Sequence, residues 1–246
     1  QGRGVSVGMR TEAEVRRAYA VAAAAGDVIV EQCLAGDDYR LLVVGNKLVA
    51  AARRCPPTVV GDGNATVGEL VARINADPRR CADHAGSLSP IPLDAVAEAI
   101  LAEQGLSIAA VPAAGQQVLL RRNANLSTGG TAEDVTDAVI PELAQLAVEA
   151  ARVVGLDIAG IDLLAARIDQ PLDGRQGGVV EVNACPGLRM HLEPTSGKGR
   201  DVGAAIVDML FPAAEDGRVP VAAVTGTNGK TTVTRLLAHL ATTGGA

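Results

Sequence analysis

Two tyrosines, one phenylalanine and no tryptophan in 246 residues leave this chain almost without aromatic side chains. Any core must therefore be packed from Ala, Val, Leu and Ile. An aromatic platform for stacking single-stranded nucleic acid is excluded on the same ground. Hydrophobic residues still make up 48% and charged residues 20%, a globular composition and not a disordered one. The length suits one sizeable core, or one domain plus part of another. Twenty-two basic against 28 acidic residues give a net charge of −6, which argues against a general binder of nucleic acid or membrane surfaces. The four cysteines (Cys33, Cys55, Cys81, Cys185) show no CxxC spacing, so neither a disulfide framework nor structural zinc is expected, and a reducing cytoplasm fits best. No apolar run reaches the roughly 18 residues that span a bilayer.

Along the chain, Gly2 to Gly8 alternates small and β-branched residues, as a hairpin does. Thr11 and Glu14 form a capping box that opens a helix to about Ala25. Strands are expected at 27–32, 39–44 and 47–53, the last two joined by the turn signal Gly45-Asn46. After Pro56-Pro57 come short helices at 67–75 and 93–103, a strand at 118–122, and a polar loop at 123–131. A long helix is expected over 132–154, with Pro141 as a kink or break. Strands at 159–165 and 178–184 follow, separated by a turn-like stretch, then a helix at 202–210. A linker at 213–219 leads to a strand at 221–224, a glycine-bearing loop and a helix to about Leu240. This divides the chain into a first domain over 1–212 and the start of a second over 220–246.

Two constellations carry chemistry. Glu181 and Asn183, two apart on a strand, point to one face, and Asp162 lies among apolar residues on the strand before. Two carboxylates and an amide oxygen make an all-oxygen site suited to Mg²⁺, a cation that bridges nucleotide phosphates. The plainer alternative is a solvent-facing polar edge, but a carboxylate buried among Val and Ile is costly without a partner. Arg40 and Arg122 could clamp a carboxylate or phosphate, or simply be surface charges. Asn123–Thr131 crowds amides, hydroxyls and glycines together, which a plain polar loop also does. The second constellation is Gly226-Thr227-Asn228-Gly229-Lys230-Thr231-Thr232 between a strand and a helix, the context of a phosphate loop. Lys230 would reach the β- and γ-phosphates and Thr231 would hold Mg²⁺. The stricter phosphate-loop pattern needs a glycine at 224, where this chain has Val224.

The ordered strings GRGVSVG, VEQ, GDDYRLLVVGNKLVAAARR, NLSTGGTAEDVTD, GIDLL and VVEVNACPGLRMH resemble the ATP-grasp domain of cyanophycin synthetases. The run from AIVDMLFP into VPVAAVTGTNGKTTVTRLLAH resembles the junction into the Mur-ligase-like domain of those enzymes. The resemblance implies the C-terminal part of an α+β ATP-grasp fold, followed by the start of a parallel α/β phosphate-loop domain. It implies ATP and Mg²⁺ as cofactors, with aspartate, arginine and a cyanophycin primer as substrates, and a homo-oligomer in the full-length enzyme. On it, Asp162, Glu181 and Asn183 hold Mg²⁺, while Gly2, Arg3, Gly4 and Ser6 cover the nucleotide phosphates and Glu31 contacts the nucleoside. Arg40, Asn125 and Ser127 contact the acyl phosphate or substrate carboxylate. Gly226 to Thr232 bind the second nucleotide.

The resemblance further implies carboxylate activation by phosphorylation and attack by an amine, with aspartate added at the first site and arginine at the second. That chemistry needs no catalytic histidine, and His84, His191 and His239 form no evident triad; His191 could line the cleft but reads more simply as a loop residue. Cys185 reads as a packing residue. The sequence opens and closes as an internal piece of a longer enzyme, so the piece alone is expected to be inactive. Two alternatives remain: another ATP-grasp/Mur-type amino-acid polymer ligase, and a nucleotide-binding module without turnover.

Overall fold

The structure, a computed structural model, describes residues 6, 8–81, 86–172, 177–212, 217–218 and 221–244. The chain divides into two units, one up to Met209 and one from Leu210 onward.

The first unit begins with α1 (Glu12–Ala23), capped by Thr11, whose hydroxyl accepts from the Glu14 amide while the Glu14 carboxylate accepts from the Thr11 amide. Residues 27–32 pair with no described strand, and Ile29 and Val30 stay exposed. Their β-branched composition gives a strand propensity that only a neighbouring strand could realise. Next come β1 (Asp37–Val44) and β2 (Lys47–Cys55). Both turn residues, Gly45 and Asn46, take positive φ (51° and 64°), the turn whose twist matches an antiparallel hairpin.

A satellite follows: β3 (Thr58–Val60), α2 (Val67–Asn75), α3 (Ala95–Glu103) and β4 (Gln117–Leu119). β3 and β4 pair antiparallel, and the helices close a separate core around Val59, Val67, Val71, Leu101, Val118 and Leu120. The chain then re-enters the main sheet as β5 (Thr131–Asp134), and α4 (Pro141–Val154) starts only at the proline. The helix expected from residue 132 is thus split. Residues 131–134 gain the edge of β2 as partner, and Pro141 occupies the first helical position, where its missing N–H costs nothing.

Two further strands, β6 (Ile158–Ala165) and β7 (Gly177–Asn183), complete an antiparallel sheet of order β5-β2-β1-β6-β7. Strand alternation then sorts the side chains. Tyr39, Leu41, Val43, Ile161 and Leu163 face α4, which presents Leu143, Ala147 and Ala151 at a spacing of four. On the other face, α5 (Arg189–Leu192) and α6 (Val202–Leu210) lie over different regions. Val202, with Ile206 and Met209 beside it, covers Leu42, Val44 and Ala50, while Met190 packs on Ala52 and Ala132. The core contains one aromatic ring, Tyr39, as the composition requires.

In the second unit the described residues comprise the segments around 210–212, 217–218 and 221–229, then α7 (Lys230–Gly244). Residues 221–224, expected as a strand, pair with no described residue. No described helix is long and apolar enough to cross a membrane.

Candidate active site

A single row of residues crosses the sheet on the face away from α4. Register pairs Asp134 with Ala52, Ala52 with Arg40, Arg40 with Asp162, and Asp162 with Glu181. Directly opposed residues of antiparallel strands share a face, so the row joins all five strands. Asn183, two residues beyond Glu181, lies opposite Gly160 on the same face.

The centre of the row is a buried ion network. Asp162 is 8% exposed, Arg40 8% and Arg54 9%. Arg40 grips Asp162 with two donors, Nε on Oδ1 and Nη2 on Oδ2, the latter at 3.0 Å. Arg54 Nη2 donates to the same Oδ2 at 3.0 Å, while its Nε and Nη2 reach Asp38 Oδ1 at 2.9 and 2.5 Å. Two guanidinium groups face two carboxylates, so the network is formally neutral. Burial alone would lower the Arg54 pKa, but the Asp162 and Asp38 carboxylates outweigh it and raise it. Burial raises the Asp38 carboxyl, with Arg54 offsetting only part of the effect.

Gly160 makes room for this arrangement. A Cβ there would stand 2.7 Å from Pro186 Cβ and 3.0 Å from Arg40 Cδ. The glycine of the GID string lets the Arg40 stem lie flat across β6.

Glu181 is exposed and makes no ion pair or hydrogen bond to a described residue. The half-buried Asn183 donates from Nδ2 to the Gly160 carbonyl at 3.3 Å, which leaves its Oδ1 as an acceptor. Glu181 and Asn183 thus offer two hard oxygen donors side by side, the kind of partial set that suits Mg²⁺ with waters and phosphates completing its shell. Asp162 offers both oxygens to arginines. Among the described residues no group of three His, Cys, Asp or Glu side chains is placed to hold a metal by itself.

The remaining expected residues fall in three places. Asn125 and Ser127 are exposed on a short 3-10 turn, Leu126–Thr128, with Asn125 at its N-cap; Leu126 packs against Ala52, Ala132 and Met190, beside the row. The Thr128 hydroxyl donates to Asn123 Oδ1 and the Asn125 carbonyl, both at 3.0 Å. Arg122 instead pairs with Glu103 on the satellite. Ser6 and Glu31 share a cleft of about 570 Å³ with Tyr19 and Cys33, and none of Arg40, Asp162, Glu181 or Asn183 lines it. Gly2, Arg3 and Gly4 lie outside the described residues, as does part of the linker 213–219. In the second unit, Gly226, Thr227, Asn228 and Gly229 form a loop that leads straight into α7, with Thr231 and Thr232 in the first turn. Lys230 Nζ donates back to the Gly226 and Thr227 carbonyls at 2.6 and 3.3 Å.

Sequence reasoning gave no role to Arg54 or Asp134. Strand alternation contained the signal for Arg54: it lies two residues beyond Ala52 on β2, and Ala52 faces Arg40. Asp134 accepts from both Arg200 and Thr136, and Arg200 also holds Asp137. Burial alone would raise the Asp134 pKa, but these hydrogen bonds bring it below the usual range. His191, on α5, is 2% exposed and held at a pKa of about 4, by burial first and by the Arg40 charge second, with Asp134 opposing.

Comparison with known proteins bears on the fold. Residues 104–210 match the RimK-like ATP-grasp domain family. Cyanophycin synthetase of Nostoc sp. is 47% identical over 240 residues, 97% of this chain and 27% of the relative. Cyanophycin synthetase of Synechocystis sp. is likewise 47% identical, over 242 residues and 28% of its length. A bifunctional glutathione synthetase from Pasteurella multocida superposes with a TM-score of 0.64 at 34% identity, covering 83% of this chain and 28% of that one. The chain thus spans less than a third of the length of each of these three relatives. Residues 104–210 are thus similar to the RimK-like ATP-grasp domain family, within a sequence similar to cyanophycin synthetases over 97% of its length.

Proposed function

We propose that the protein carrying this chain is an ATP-dependent carboxylate–amine ligase that builds cyanophycin, multi-L-arginyl-poly-L-aspartate. The observation that carries the reading is 47% identity to cyanophycin synthetase across 97% of the chain, with the row Arg40–Asp162–Glu181 inside the aligned region. In this reading the ATP-grasp site adds aspartate. Residues 220–246 open a Mur-ligase-like domain that adds arginine, with Gly226 to Thr232 cradling its nucleotide. The substrates are aspartate, arginine and a cyanophycin primer.

A carboxylate is a poor electrophile because expelling oxide from it is prohibitive. One of its oxygens attacks the γ-phosphorus of ATP, and ADP leaves. The amine of the incoming amino acid then attacks the acyl carbon; phosphate departs with the bonding electrons and the amine loses a proton. The protein's contribution is positioning and charge neutralisation. Glu181 and Asn183 supply open oxygen donors for Mg²⁺, and Asp162 joins them if its arginines yield an oxygen. These residues would hold a magnesium ion, whose charge would neutralise phosphate oxygens. Arg40, whose planar fork matches an oxyanion, faces the same side. Asn125 and Ser127 offer an amide and a hydroxyl at the edge of the row for the acyl phosphate. Ser6 and Glu31, with Gly2, Arg3 and Gly4, serve the nucleotide.

The test is ADP release by the whole protein with ATP, Mg²⁺ and a short primer, adding aspartate alone, arginine alone and then both. Sustained release only with both supports the reading. Release with a different amino acid replaces the substrate assignment. No release with any amino acid overturns the ligase.

A further inference from the structure

The turn that carries Ser127 is held between the main sheet and the satellite. On one side Leu126 packs with Ala52, Ala132 and Met190. On the other, Gly129 closes the turn with a φ of 92°. A Cβ there would stand 2.6 Å from Ile91 Cγ1 and 2.8 Å from Ile91 Cα, so only a glycine lets the turn lie against Ile91. Ile91 is a fixed support. It is 3% exposed in the satellite core, and the Asn75 carboxamide, at the end of α2, holds both its backbone groups. Asn75 accepts from the Ile91 amide at 2.8 Å and donates to its carbonyl at 2.9 Å.

One cation bridges the same junction. Arg80 is half-buried, and its Nη1 donates to the Ser89 carbonyl at 2.5 Å and to the Gly129 carbonyl at 3.2 Å. That nitrogen carries two hydrogens, one for each carbonyl. The segment around Arg80 is itself tied down. The Cys81 amide donates to the Leu88 carbonyl at 3.1 Å, and the Leu88 amide to the Arg79 carbonyl at 2.9 Å. Arg79 takes the Asp77 carboxylate, so among the described residues the Arg80 guanidinium donates to carbonyls alone. Bonds from a charged donor are stronger than neutral ones. A three-residue 3-10 turn has few bonds of its own, so its place depends on such outside contacts.

We propose that Arg80 is a positioning residue for the ligation: through the Gly129 carbonyl it fixes the Leu126–Thr128 turn, and with it the Ser127 hydroxyl and the Asn125 amide, against the satellite. The proposal rests on the reading that these two groups meet the acyl phosphate. A donor aimed at developing charge acts only at its set distance, so a turn free to shift loses rate without losing ATP.

Two measurements on the whole protein test it. The first is amide hydrogen exchange in the wild type and in Arg80→Met, which keeps a long side chain without donors. The Thr128, Gly129 and Gly130 amides are expected to exchange about tenfold faster or more in the variant, with the α2 amides unchanged. No acceleration in the turn, or equal acceleration in α2, overturns the proposal. The second is aspartate-dependent ADP release. Arg80→Met is expected to lower kcat about ten- to a hundredfold, the range for misplacing a group by up to about 1 Å. KM for ATP is expected to stay within about twofold, and Arg80→Lys, which can still donate to both carbonyls, to recover most of the rate. Arg80→Met at the wild-type rate, or Arg80→Lys no faster than Arg80→Met, overturns the proposal. If Ser127→Ala adds aspartate at the wild-type rate, or the wild type releases no ADP, the reading of the turn fails by itself, and the exchange measurement still decides whether Arg80 holds it.

Discussion

Asp162 and Glu181 face each other across β6 and β7, yet they answer differently to substitution. Asp162→Ala leaves Arg40 buried with no described partner and Arg54 with only Asp38, and breaking such a pair costs about 3–5 kcal/mol. Lost activity in that variant would report unfolding as much as chemistry, and a urea titration should show the midpoint falling sharply. Glu181 is exposed and free of described partners, so Glu181→Gln should change stability by less than about 0.5 kcal/mol. His191 adds a pH signature. Its folded pKa of about 4 lies below the ordinary 6.5, so the unfolded state binds the extra proton first as pH falls. The stability it contributes is complete above pH 6.5 and is lost as pH drops toward 4, by up to about 3 kcal/mol in all. Arg40 and Asp134 are the charges that act on the ring, and Asp134 works against the shift. Thermal melts over that range should slope less steeply for His191→Leu than for the wild type; parallel slopes would contradict the assigned burial.

At the scale of elements, the sequence was most legible where one local rule acts alone. The Thr11/Glu14 box, the Gly45-Asn46 hairpin and the helix at 67–75 all read directly from short-range chemistry. It was least legible where a partner distant in sequence decides. Residues 131–134 carry no strand signal of their own and become a strand because β2 offers an edge; residues 27–32 carry that signal and have no described strand to pair with. The same division runs through the site. Spacing on β7 put Glu181 and Asn183 on one face, but nothing local joins Arg54 to Asp162, 108 positions away, or places α5 over Ala52. Gly160 gives an element-scale test. Gly160→Ala would press on Pro186 and the Arg40 stem, so it should displace Arg40 and cost about 1–3 kcal/mol, the range of overpacking. A crystal structure of the variant with Arg40 still on Asp162 would contradict this.

For the molecule as a whole, the proposed function requires two separable ligation sites in one protein: the sheet row marked by Glu181 and the loop marked by Lys230. The decisive measurement is ADP release by Glu181→Gln and Lys230→Ala variants of the whole protein, each on primers ready for aspartate and primers ready for arginine. Glu181→Gln is expected to lower the aspartate-dependent release by about a hundredfold or more and to leave the arginine-dependent release intact. Lys230→Ala should do the reverse, and both variants should melt with the wild type. If Glu181→Gln, folded and stable, still adds aspartate at the wild-type rate, the row across the sheet is not the aspartate-adding site.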